Sequence, residues 1–211
     1  NKDKEKLFIS ATDTIVVFEN KLLENITTTH HVVPFVIFIP VISYFIYETI
    51  SFIYSGSIQQ PLFIIPLIIS AILLWTLTEY IIHRYVFHAQ LKSKFGKKFL
   101  YLMHGAHHDY PNDPRRLVVP PLLSVPGGIV FYILSYLFLG RYLAAPFFAS
   151  LVTSYLIYDW FHYASHHLKI NNSHIRMLIK QHLLHHYKDP KKGYGFTTTL
   201  WDMILRTKFK K

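Results

Sequence analysis

Residues 32–54 form a 23-residue apolar run broken only by Glu48, and after the polar stretch SGSIQQ a second run of 22 covers residues 61–82. Residues 117–139 and 142–161 make another pair, joined only by Gly140 and Arg141. About 20 apolar residues are enough for a helix to cross the hydrocarbon core of a bilayer. The pattern therefore predicts an all-α integral membrane protein with four transmembrane helices in two hairpins. Pro120, Pro121, Pro126, Gly127 and Gly128 predict a kink or a late start in the third span. No solenoid repeat, low-complexity tract or domain linker interrupts the chain, so a single membrane-embedded domain over 1–211 is expected.

Charge orients these spans. Two hairpins put 1–31, 83–116 and 162–211 on one side, and those segments carry 21 of the 22 Lys and Arg residues, leaving Arg141 alone opposite. Basic residues mark the cytoplasmic face, so both termini are expected there, in the endoplasmic reticulum of a eukaryote or the inner membrane of a bacterium. NKDKEKLFIS opens polar, with no short apolar region and small-residue site after it, so no cleavable signal peptide is expected. A net charge of +10 with 17% aromatic residues would also suit a nucleic-acid binder. The long apolar runs decide for the membrane and against nucleic acid. The chain has no cysteine, which excludes disulfides, thiolate ligands and a cysteine nucleophile. Any metal must be held by nitrogen and oxygen.

All the histidines fall on the basic side. Eleven of the 14 lie in four short clusters, HRYVFH (83–88), HGAHH (104–108), HYASHH (162–167) and HLLHH (182–186); His30, His31 and His174 stand apart, as surface or hydrogen-bonding residues. On a helix turning about 100° per residue, His104, His107 and His108 share a broad face, yet the neighbours His107 and His108 diverge by about 100°. His182, His185 and His186 repeat that geometry, and His162 and His166, four apart, share a face. His83 and His88 are five apart, about 140° round a helix, and are expected to reach two different ions rather than clasp one. The clusters read as a two-metal site. Its candidate ligands are His83, His88, His104, His107, His108, His162, His166, His182, His185 and His186. Five imidazoles per metal with a position left open suit iron better than structural zinc, which four ligands satisfy.

Among the other residues, His167 lies off the shared face of His162 and His166 and is either a ligand or a supporting residue. Glu79, one turn before His83, and Asp159, three residues before His162, could each accept a ligand ring N–H and fix its tautomer, or be ordinary polar groups at helix ends. Asp109, Asp113, Asp189 and Asp202 are expected in loop or capping roles. With few carboxylates and no Gly-rich phosphate loop, nucleophilic and phosphoryl chemistry have little support, and no separate acid or base is assigned.

HRYVFH, HGAHH, HYASHH and HLLHHY, followed by GYGFTTTLWD at 193–202, resemble the integral-membrane fatty acid hydroxylase superfamily, and within it the fatty acid (sphingolipid acyl) 2-hydroxylases. The resemblance implies a cytosolic histidine-rich helical cap over four spans and an O2-dependent dimetal monooxygenase acting at C2 of a long acyl chain, free, CoA-linked or in ceramide. It implies two metal ions, iron in the working enzyme with zinc also possible, and electrons from a donor such as cytochrome b5. Only about 31 residues precede the first span, so the donor is expected as a separate protein or on a segment upstream of this sequence. Lys92, Lys94, Lys97, Lys98, Arg115, Arg116, Lys191 and Lys192 form a basic rim that either follows from topology alone or attracts lipid headgroups or an acidic donor. Rival readings are a sterol or carotenoid oxidase or desaturase of the same superfamily, a bis-histidine haem electron carrier, and a metal carrier or zinc hydrolase.

Overall fold

A computed structural model describes residues 14–209. The opening NKDKEKLFIS, read above as no signal peptide, lies outside the described residues. The described chain is helical, with no strand among those residues. Helix α1 covers Lys21–Thr27, and its first turn is capped by Asn20, whose Oδ1 accepts from the Leu22 and Leu23 amides at 2.9 and 3.2 Å. Helix α2 is Val33–Tyr54. A 3-10 turn, Pro61–Phe63, leads into α3, Ile64–Ile81, which runs on as a π-helical turn over Ile82–Phe87. Next come α4 (Lys94–Leu100), a second π turn (Tyr101–Gly105) and the short α5 (Ala106–Asp109). The chain then forms α6 (Pro121–His167), α7 (Ser173–Tyr187) and α8 (Leu200–Ile204).

Among the described residues, three helical stretches are long and apolar enough to cross a membrane: Val33–Tyr54, Pro61–Phe87 and Pro121–His167. Only 6% of the apolar window is buried in the second and third, so Ile65, Ile69, Ile72, Val130, Ile133 and Leu137 all turn outward. Apolar surface on that scale belongs against lipid, and the protein is a membrane protein. The third stretch is not one rod. Gly140 (φ 70°, ψ 172°) breaks it in a positive-φ extended conformation that is essentially confined to glycine and costs a residue with a Cβ about 1–3 kcal/mol. The Tyr132 and Phe148 rings lie 5.3 Å apart, although 16 residues of continuous helix would separate them by about 24 Å, so the chain folds back at Gly140. The helix begins at Pro121 rather than at 117, because Leu117 and Val118 are buried core residues and proline suits a first helical turn.

The chain separates into two compact units. One comprises 32–75 and 120–157. Its aromatic core packs Phe45 against Tyr132 and, edge to face, against Phe148, both at 5.0 Å, with Phe52 edge-on to Tyr142 at 4.9 Å and Phe38 to Tyr155 at 5.2 Å. Small residues, Ala144, Ala145 and Ala149, are buried where the helices approach each other. The other unit draws on the described parts of 1–31, 76–119 and 158–211. It holds every clustered histidine. Arg116, expected on an exposed basic rim, is instead buried here: its side chain is 3% exposed, it pairs with Glu24, and its Nε lies 3.7 Å from Asp113. Asp113 also accepts from the amides of Ile15 (2.9 Å) and Arg115 (3.0 Å), which ties 14–24 to the loop after α5.

Candidate metal centre

Four segments deliver the histidines, each for a local reason. On α7, Leu178, His182 and His185 are buried at spacings of four and three, so a single face turns two rings inward. The C-terminal half of α6 does the same with His162 and His166. Two π turns serve the others: the first brings His83 and His88, and the second, with α5 after it, brings His104, His107 and His108. In the first, the His88 amide donates to the His83 carbonyl at 3.2 Å, the i to i+5 bond of a π turn. That bond stacks positions five apart, so His83 and His88 face the same point. The expectation that they serve different ions rested on α-helical rotation and is corrected by this turn.

Ten histidines converge as two groups of five. His83, His88, His104, His108 and His185 form the first, and His107, His162, His166, His182 and His186 the second; within each, one ring nitrogen per residue lies within 4.8 Å of all the others. His107 and His108 fall in different groups, as do His185 and His186, which follows from the divergence of adjacent helical positions. The groups adjoin, with the His108 and His186 rings stacked at 4.3 Å. His167 belongs to neither group, and its ring stacks on Tyr163 at 4.6 Å. His31 packs on the other ring of that stack, 4.0 Å from Tyr163, and His30 on His31 at 4.3 Å. His174 is exposed at the start of α7.

The ring nitrogens are set up to donate lone pairs. His83 Nδ1–H donates to the Tyr194 carbonyl and His185 Nδ1–H to the Lys192 carbonyl, both at 2.7 Å. A carbonyl only accepts, so each ring carries its proton on Nδ1 and presents a bare Nε2. In the first group Nε2–Nε2 separations are 3.1 Å for His83–His104, 3.0 Å for His104–His108, 3.0 Å for His88–His185 and 3.2 Å for His108–His185. The second group shows 2.8 Å for His107–His162, 3.0 Å for His166–His182 and 3.1 Å for His182–His186. Two nitrogens each about 2.0–2.1 Å from one ion sit about 2.8–3.0 Å apart at a right angle and about 3.3–3.4 Å apart at the tetrahedral angle. Most of the separations match the right angle. With five donors per group, that geometry fits a five- or six-coordinate ion better than a tetrahedral one. The donors are all imidazole, a set that suits iron and zinc.

Burial reinforces this. Loss of solvent, then the neighbouring rings, hold His104, His107 and His182 well below the ordinary histidine value. Burial likewise takes His88 and His185 down to about 4 and His108 to about 2, and lowers His186. These rings are neutral near pH 7, as metal binding requires.

Glu79 takes a different role from the two weighed for it. Its carboxylate accepts the amides of Phe196 and Thr197, the latter at 3.0 Å, and the Thr197 hydroxyl at 2.5 Å. Asp159 accepts the Val119 amide at 3.3 Å. Asp202, expected to be a loop or capping residue, is buried and accepts the amides of Tyr194 (3.0 Å) and Gly195 (2.8 Å) and the Thr207 hydroxyl (2.7 Å). Asp189 is a loop residue that accepts the Lys191 amide at 3.0 Å. The residues missed from sequence are those giving carbonyls, Lys192 and Tyr194. Only the placement of GYGF, beginning seven residues after His186, hinted at them.

Comparison with known proteins agrees with this site. The profile of the fatty acid hydroxylase family matches residues 68–207, which include all ten converging histidines. Dihydroceramide fatty acyl 2-hydroxylase FAH1 of Arabidopsis thaliana is 33% identical over 190 residues, covering 90% of this chain and 78% of that protein. Ceramide very long chain fatty acid hydroxylase scs7 of Schizosaccharomyces pombe is 35% identical over 195 residues, and the match spans 90% of this chain but 54% of the yeast protein. A solved structure described as full-length scs7p, with only its hydroxylase domain visible, superposes with a TM-score of 0.83 at 34% identity, over 93% of this chain and 73% of that one. Helical fold, paired histidine groups and sequence thus agree, and the chain belongs to the fatty acid hydroxylase family.

Proposed function

We propose that this oxidoreductase is a dimetal, O2-dependent monooxygenase that hydroxylates C2 of a long acyl chain, free, CoA-linked or carried on ceramide. The observation that carries the reading is the gathering of ten imidazoles into two adjoining groups of five. His83, His88, His104, His108 and His185 would hold one ion, and His107, His162, His166, His182 and His186 the other. Bound there, a di-iron pair supplies the activation of O2 that a C–H bond beside a carbonyl demands and that side-chain acids cannot provide. Zinc fits the same nitrogens without that redox chemistry. The protein's own part is to hold the rings neutral and aimed, through burial and the Lys192 and Tyr194 carbonyls. In balance, one oxygen atom enters the C2–H bond and the other leaves as water, with two electrons and two protons supplied from outside. A separate electron-transfer protein such as cytochrome b5 is the expected source.

The relatives named above as ceramide and dihydroceramide hydroxylases support a sphingolipid-linked acyl substrate. The fold-back at Gly140 supports four spans in two hairpins rather than three. The 21 basic residues outside Arg141 support a cytoplasmic position for the termini and the histidine-bearing segments, with the whole chain acting as one hydroxylase domain.

Lipid mass spectrometry tests this reading in a host that makes no 2-hydroxy acyl chains, with the His107→Ala, His108→Ala double variant as control. Acyl species heavier by one oxygen, fragmenting at C2 and absent from the control, are expected. Oxygen at another carbon would move the assignment to another branch of the family. No oxidised lipid from folded, iron-loaded protein with reductant would overturn it.

A further inference from the structure

The segment between α7 and α8 does more than close the chain. Lys192 and Tyr194 flank Gly193, whose φ of 72° lies in the left-handed region and lets the carbonyls on either side of it reach two different rings, those of His185 and His83. Both rings belong to the first group. Toward the second group the same segment offers only apolar contact: the Phe196 ring packs 4.6 Å from His182 and 5.6 Å from His162.

Two buried carboxylates hold this segment from opposite ends. Asp202 accepts the Tyr194 and Gly195 amides and is itself braced by the Thr207 hydroxyl, which also meets Tyr80 Oη at 2.8 Å. Glu79 accepts the Phe196 and Thr197 amides. The Gly193 amide donates to the Thr207 carbonyl at 2.9 Å, and the Thr207 amide to the Asp202 carbonyl at 2.8 Å. The fit is close: a Cβ on Gly193 would lie 2.8 Å from the Phe209 ring, and one on Gly195 would lie 2.9 Å from the Asp202 carboxylate. Four consecutive amides, 194–197, are thus fixed by two side chains, so the Tyr194 and Lys192 carbonyls have little freedom to turn.

We infer that segment 192–197, anchored by Asp202 and Glu79, secures one metal ion of the pair selectively, by fixing the tautomer and ring angle of His83 and His185. Asp202 is a positioning residue in this scheme. It acts through the Tyr194 carbonyl on His83, and touches no ligand ring itself. The inference rests on the dimetal reading. Loss of such outer support lowers metal affinity about 10–100-fold, and here that loss falls on one ion.

Zinc release from the full-length protein in detergent micelles, followed with a chromogenic chelator, tests the idea. Wild type is expected to give up two zinc ions per chain. In Asp202→Asn, whose amide group meets an N–H where a carboxylate oxygen stood, one ion should leave about 10–100-fold faster while the other keeps its wild-type rate. Thr207→Val should accelerate the same ion by less, and Thr207→Ser, which retains the hydroxyl, should restore the wild-type rate. The threonine pair decides the matter if Asp202→Asn does not fold. Two zinc ions leaving together, or neither accelerating, in folded variants would overturn the inference and leave the dimetal reading standing. A wild-type chain that holds fewer than two ions would overturn both.

Discussion

Acid should open the metal-free protein at its histidine groups. His104, His107, His182 and His185 are buried and His108 and His186 half-buried, and all are neutral when folded, each with a proton affinity below the ordinary histidine value of 6.5. The unfolded chain binds protons below that value and the folded chain does not, so stability falls as pH drops through 6.5. For His185, held at about 4, the loss levels off below that pH. At pH 5 an unfolded histidine gains RT ln(1 + 10^1.5), about 2 kcal/mol, and a ring that stays neutral when folded forfeits all of it. Six such rings forfeit up to about 12 kcal/mol, comparable with the whole stability of a typical domain. A bound metal occupies the lone pairs and removes the competition. Hydrogen exchange read by mass spectrometry, corrected for the intrinsic effect of pH, should therefore show 101–109 and 173–187 losing protection between pH 7.5 and 5 in metal-free protein. Metal-loaded protein should retain protection to lower pH. Unchanged protection of those segments at pH 5 without metal would refute the reasoning.

Two further outcomes follow from the fold. Arg116→Met leaves the Glu24 and Asp113 carboxylates without their buried cation, a loss of about 3–5 kcal/mol, and should speed limited proteolysis within 14–31; a wild-type digestion rate would count against that network. Gly140→Ala should destabilise the protein by about 1–3 kcal/mol in detergent unfolding, whereas Gly127→Ala, in ordinary helix with nothing within 4 Å of the added Cβ, should be neutral or stabilising; equal effects would contradict the break at Gly140.

Much of this architecture was legible in the residues, for reasons that do not depend on detail. A run such as 32–54 needs lipid or core whatever its neighbours, and Gly140–Arg141 between two apolar runs is a natural place to turn. Adjacent histidines such as His107 and His108 diverge on any helix, so their separation into two groups could be read from spacing alone. The rest required the fold. A π turn differs from an α turn by one residue's worth of rotation, and HRYVFH carries no composition that announces it. The carbonyl partner of His83 lies 111 residues away at Tyr194, and every residue has a carbonyl, so side-chain identity gives no clue. Glu79 was judged from its neighbour His83, but its nearest donors come from 196–197. Arg116 reads as one more surface cation until Glu24 and Asp113 are seen around it.

The two π turns also bear on how such a centre tolerates changes in chain length. Each is one residue longer than the α turn that would span the same axial distance, and in the first of them that extra residue is what brings His88 beneath His83. A deletion within 84–87 that restored the ordinary ladder would leave the two histidines four apart and still on one face, whereas an insertion would set them six apart, about 120° from each other on an α-helix. Conversely, no substitution of the intervening side chains alters the register. The number of imidazoles reaching the first centre is therefore encoded in a count of residues, so a one-codon insertion can change its coordination where many substitutions would not.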